Sequence, residues 1–130
     1  MRTALLLIAA AVLLAAMLAC GSPAGTDTCN ESVVADWFDR SDGIGSALDM
    51  YSTASSKSAY EKQQQVVTPE CLAILQKLSV ESYYYGWQTN EARDRGDAEF
   101  ARSYAIKAIE AQDQVLIEAD RLAAKYGWNN

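Results

Sequence analysis

Histidine is absent from the 130-residue chain. With it go the commonest general base, the commonest zinc ligand, the proximal ligand of globin haems and the Glu-x-x-His pairs of di-iron bundles. The serines lack a Gly-x-Ser-x-Gly elbow, and no glycine-rich phosphate loop precedes a helix. No stretch alternates polar and apolar residues with period two, so no sheet is expected. Basic charge is scarce as well, with 11 Lys and Arg against 17 Asp and Glu. An acidic chain repels the phosphates of nucleic acids and anionic lipid head groups, which makes neither an expected partner. These absences point away from an enzyme, a cofactor or a metal centre.

What is present begins with an export signal. Met1-Arg2-Thr3 is a short basic start, and the 16 residues from Ala4 to Ala19 carry no charge. That run is short for a helix crossing about 30 Å of hydrocarbon, so a cleaved leader fits better than a permanent span. Its end, Met17-Leu18-Ala19-Cys20, resembles the lipobox of bacterial lipoproteins, with Met17 where that family usually has leucine or a similar aliphatic residue. The resemblance implies that the Cys20 thiol receives a diacylglyceryl group and that cleavage falls just before it. Further acylation of the new amine would then hold the chain firmly at a membrane, where one acyl chain alone holds only marginally. Two other readings stay open: cleavage at Ser22-Pro23-Ala24, which would release a soluble protein without Cys20, or retention of the apolar stretch as an anchor.

The expected organisation is a leader over 1–19, a tether over 20–30 and one helical domain over 31–130. The tether reading rests on Gly21 to Thr28, which is rich in Gly, Ser, Pro and Thr. Two cysteines remain beyond Cys20. Cys29 and Cys71 lie 42 positions apart, and an oxidising compartment favours their pairing. Such a small core gains considerably from a covalent staple.

Apolar residues recur at helical spacing throughout this domain. Val34, Trp37, Phe38, Ile44, Leu48 and Tyr51 predict a first helix ending near Ser52, with Gly43 and Gly45 as points of bending or close approach. The polar stretch 53–58 reads as a break, and Tyr60 to Val67 as a short second helix. Thr68-Pro69-Glu70 has the grammar of a helix start, with Thr68 as N-cap and Pro69 at the first helical position. The third helix then carries Cys71, Leu72, Leu75, Leu78 and Tyr85. Gly96-Asp97 makes the last hinge. A long final helix presents Phe100, Tyr104, Ile109, Val115, Leu116, Leu122 and Tyr126, with Gly127 as its C′ residue. The fold class expected is all-α, a small up-down bundle of three to four helices, which would bring Cys29 and Cys71 to the same end.

Two groups of residues invite a functional reading. Asp36, Asp39 and Asp42 share three-residue spacing and read as an exposed acidic helix edge. Tyr83-Tyr84-Tyr85-Gly86-Trp87 is the densest aromatic patch. Consecutive helical residues point about 100° apart, so Tyr83, Tyr84 and Trp87 cannot all be core, and they are the candidate binding residues. Residues 85–110, with Gly96-Asp97, Ala101 and Ala108, bear a loose likeness to one tetratricopeptide repeat and amount to a helical hairpin. Through Trp37, Pro69, Glu70 and Cys71 the domain resembles small uncharacterised helical lipoproteins of bacteria, a resemblance that implies no activity. The function expected is therefore a membrane-tethered, non-catalytic interaction or structural module with a protein partner. The alternative is a small-ligand binder using the aromatic patch.

Overall fold

The computed structural model describes residues 29–128. Cys20, the leader and the chain up to Thr28 lie outside the described residues. Four helices follow in order: α1 (Glu31–Ser46), α2 (Thr53–Gln64), α3 (Ala73–Asp94) and α4 (Ala98–Tyr126), with a 3₁₀ turn over Glu70–Leu72 leading into α3. Among the described residues there is no strand. The all-α bundle expected from the periodicity is the fold observed.

Three of the four helices begin where a short polar side chain takes an orphan backbone N–H, and α3 instead continues from the 3₁₀ turn at Leu72. Asn30 Oδ1 accepts from the Val33 amide at 3.0 Å, Ser52 Oγ from Ser55 at 3.2 Å and Asp97 Oδ1 from Phe100 at 3.1 Å. Gly96 (φ 74°) and Gly127 (φ 67°) close α3 and α4 in the left-handed region, where a Cβ would be strained. The folded part reaches back beyond Glu31, because Cys29 is buried and Asn30 caps α1.

Side-chain bonds show that neighbouring helices run antiparallel. Ser56 near the start of α2 meets Asn90 near the end of α3, while Gln63 near the end of α2 meets Gln76 near the start of α3. Ser82 and Gln112 link α3 to α4. The apolar core gathers at one end, where Val34 and Trp37 of α1 pack with Leu72, Leu75 and Leu122. The Cys29–Cys71 disulfide lies at that same end, with its Cα atoms 6.0 Å apart. Its opposite end is more polar. There the Asn90 amide donates to Ser56 Oγ and to the Met50 carbonyl, pinning the α1–α2 connection onto α3.

Three local expectations need correcting. Helix α1 stops at Ser46 rather than near Ser52, so Leu48 and Tyr51 fall in the connection and Tyr51 is exposed. Its last turn holds Gly43 and Gly45, whose backbone entropy weakens helix there. Ser52 then starts α2, so the stretch 53–58 is that helix's first turns and not a break. Ser and Thr disfavour helix interiors but suit a capped start, and here Ser56 and Ala59 turn inward. Thr68, finally, is no N-cap. Its hydroxyl donates to the Val66 carbonyl at 2.9 Å and accepts from Trp37, while Pro69 itself takes the capping position of the 3₁₀ turn.

Candidate functional site

The aromatic patch on α3 is divided by the helix between two faces. Tyr84 and Trp87 turn toward α2, where the Tyr60 ring stacks on Trp87 at 5.5 Å and lies tilted against Tyr84 at 5.5 Å. Lys57 sits 5.5 Å over the Trp87 ring, and the indole N–H donates to Glu91 at 3.1 Å. Their faces and polar handle are thus engaged within the protein. Tyr83 goes the other way, toward α1. A Cβ built on Gly45 would lie 3.3 Å from its hydroxyl, so the close approach predicted for that glycine is real, while Gly43 faces open space. Burial, and then the negative charge of Asp42, raise the Tyr83 pKa, so the phenol keeps its proton.

Tyr83 forms part of the wall of a cleft of about 490 Å³ between α1 on one side and α3 and α4 on the other. The floor includes Leu75, Val115 and the wholly buried Gln63. Hydroxyls of Ser41, Ser79 and Ser82 and the amide of Gln112 give it polar walls, and Asp42 is the charged group among its lining residues. A second cleft of about 370 Å³ shares Ser82, Tyr83 and Gln112 with it and continues toward Met50 and Ile109.

Gln63 and its neighbour Gln76 beneath this floor have their orientation fixed by a donor that cannot accept. The Trp37 indole N–H donates to Gln76 Oε1 at 3.2 Å and to Thr68 Oγ1 at 3.2 Å. Gln76 Nε2 must then donate to the Gln63 carbonyl, at 2.5 Å. Gln63 in turn presents its own Nε2 to Gln76 Oε1 at 2.8 Å and to Ser41 Oγ at 3.0 Å. Its Oε1 is left buried and without a hydrogen-bond partner. No sequence signal marked Gln63 or Gln76, because they sit in otherwise ordinary polar stretches.

Outward-facing apolar residues on α4 form the other feature. Phe100, Ile109 and Leu116 belong to the stripe expected to be core, yet all three are more than half exposed. Ile106 (49%) and Ile117 (59%) are open as well. Ile106, Ile109, Leu116 and Ile117 are spaced by three, seven and one, which puts them on one face, away from buried Ala111, Glu118 and Leu122. The expected stripe was too wide: only one of its edges has a neighbouring helix. Exposed Arg102, Asp113 and Asp120 lie along the same outer face.

The aspartates of α1 are exposed, and Asp36 pairs with Arg40 at 2.9 Å. Among the described residues no three acidic or thiol groups come together as metal ligands, and no helix is long and apolar enough to cross a membrane. No family model matches the chain, and no curated protein or solved structure proves similar to it.

Proposed function

We propose that the chain is an exported lipoprotein, anchored through acyl chains on Cys20, whose helical domain is a non-catalytic interaction module. The carrying observation is the outer face of α4. Four large aliphatic side chains stand in water on one face there, more than chance singles on a surface. The partner that best fits this face is a second copy of the chain. Arg102 and Asp120 lie 18 positions apart on the same line, five helical turns or roughly 27 Å. Set two α4 helices antiparallel about a two-fold axis level with residue 111. Arg102 then meets Asp120 of the partner subunit at both ends, and Ile106 meets Leu116 of the partner subunit.

Such a contact is small, below the ~1,000 Å² at which soluble interfaces become stable. The lipid anchor supplies what area does not, because confinement to a membrane raises the effective concentration of the partner. Anchor and face are therefore parts of one device. The test is disulfide trapping of the full chain in membranes with Arg102→Cys and Asp120→Cys together. The double variant should give a dimer on mild oxidation, and each single variant should give none. Single variants that cross-link as well as the double, or a double variant that stays monomeric, would overturn the antiparallel pairing.

A further inference from the structure

We infer that the cleft between α1 and the α3–α4 hairpin is a binding site for a small organic cation, an ammonium carrying N–H donors on an apolar body. This does not rest on the α4 pairing: α4 lines the cleft with Gln112, Val115 and Ala119, roughly a third of a turn from the line of Ile106, Leu116 and Ile117.

The chemistry of the lining selects the ligand by charge. Asp42 is negative, and neither lysine nor arginine contributes to the cleft. An anion would meet Asp42 with nothing to offset it, whereas an ammonium gains a charge-assisted hydrogen bond there. Asp42 is also unengaged by the intrahelical pairing that occupies its neighbour, since Arg40 is bound to Asp36.

Buried polar atoms are almost always paired, and one that is not calls for a reason. Gln63 Oε1 is an acceptor that the fixed network of Trp37 and Gln76 leaves without a donor. That oxygen is closed to solvent beneath the floor, so it shapes the amide network under the cleft and does not face the ligand. Ser41 connects this network to the acidic rim, because it sits one residue from Asp42 and accepts from Gln63 Nε2.

The remaining surface suits the apolar body. Phe38, Tyr83, Leu75 and Val115 offer aromatic and aliphatic contact, and rings favour cations over neutral groups of the same shape. Gly45 matters to the opening: any side chain there would enter the space that Tyr83 Oη bounds. A cleft of about 490 Å³ falls within the usual range for small-ligand sites.

The experiment uses the full chain in detergent micelles, with amide resonances followed by NMR as benzylammonium is added. Benzyl alcohol and benzoate serve as neutral and anionic isosteres. Saturable shifts at Ser41, Gly45 and Tyr83 are expected with benzylammonium, with Gly96 and Gly127 unmoved. Asp42→Asn should weaken binding by roughly fivefold, the scale of one exposed charge pair. Ser79→Leu, which fills the cleft, should abolish it while the helical circular dichroism stays intact. The inference is overturned if the alcohol or benzoate shifts the same residues equally. It is also overturned if Asp42→Asn binds like the parent, or if the shifts stay linear without saturation.

Discussion

Gln63 and Gln76 look alike in the sequence and are unlike in energy. Gln76 satisfies both of its ends, and removing it strands the Trp37–Gln63 network: the Gln63 carbonyl and Nε2 each lose a partner. Gln76→Met should therefore cost about 2–3 kcal/mol, in line with buried groups left unpaired. Gln63→Met loses two donors but also removes the orphaned Oε1 and adds apolar contact, so its net effect should stay within about 1 kcal/mol. Urea midpoints of the two variants decide the matter; equal losses would contradict the assigned amide orientations. Glu118 gives a second residue-scale prediction. Two bonds from Arg121, at 2.7 and 2.8 Å, lower its pKa; partial burial opposes them, and the charges of Arg121 and Lys125 reinforce them. A depressed folded pKa stabilises the fold above the unfolded carboxylate range, and that stabilisation is lost as pH falls through the folded value. Glu118→Gln should accordingly melt below the parent at neutral pH, with the gap closing in strong acid. A gap unchanged by pH would exclude this linkage.

Among the elements, α3 and α4 were largely legible and the α1–α2 junction was not. Gly96, Asp97 and Gly127 each carry a conformational or capping requirement that only a few residue types meet, so the ends they mark could be read directly. Between α1 and α2 the chain offers Leu48, Met50 and Tyr51, apolar residues that continue a helical rhythm although they lie in a connection. Gly43 and Gly45 weaken the end of α1 locally, but what fixes the connection beyond it is tertiary: Asn90, 40 positions away, holds the Met50 carbonyl. The aromatic patch was legible as chemistry but not as geometry, since only packing shows that Tyr60 claims Tyr84 and Trp87 and leaves Tyr83 to the cleft. The glycines of α1 sharpen this. Both sit in right-handed helix, so alanine should relieve an entropic cost of about 0.5–1 kcal/mol. Gly43→Ala, facing open space, should gain that amount in thermal or urea unfolding. Gly45→Ala should gain less, because its Cβ must displace the Tyr83 hydroxyl, and its variant should show altered NMR shifts for Tyr83. An equal gain at both positions would mean that Tyr83 yields freely.

For the molecule as a whole, the decisive division is between α1 and the rest. Helices α2, α3 and α4 form successive antiparallel pairs with side chains shared along their length. Helix α1 is attached chiefly at its two ends. Its start is tied by the Cys29–Cys71 bond and the Trp37 contacts, and the connection beyond its end by Asn90, with the cleft open between them. Sequence gave reason to expect the disulfide from compartment and parity, but not that it clamps one wall of a cleft. A loop of this size contributes about 3–4 kcal/mol on the chain-entropy account, a large share of a small domain's stability. Reduction should therefore lower the urea midpoint substantially, and the local consequence should be uneven. Amides of α1, such as those of Trp37 and Phe38, should exchange with solvent much faster after reduction, while those at the α3–α4 hairpin should keep most of their protection. If every helix loses protection together, the bundle opens as one unit and α1 is no separate wall. If α1 alone loosens, reduction should also weaken benzylammonium binding, because the face carrying Asp42 and Ser41 would no longer be held opposite Tyr83.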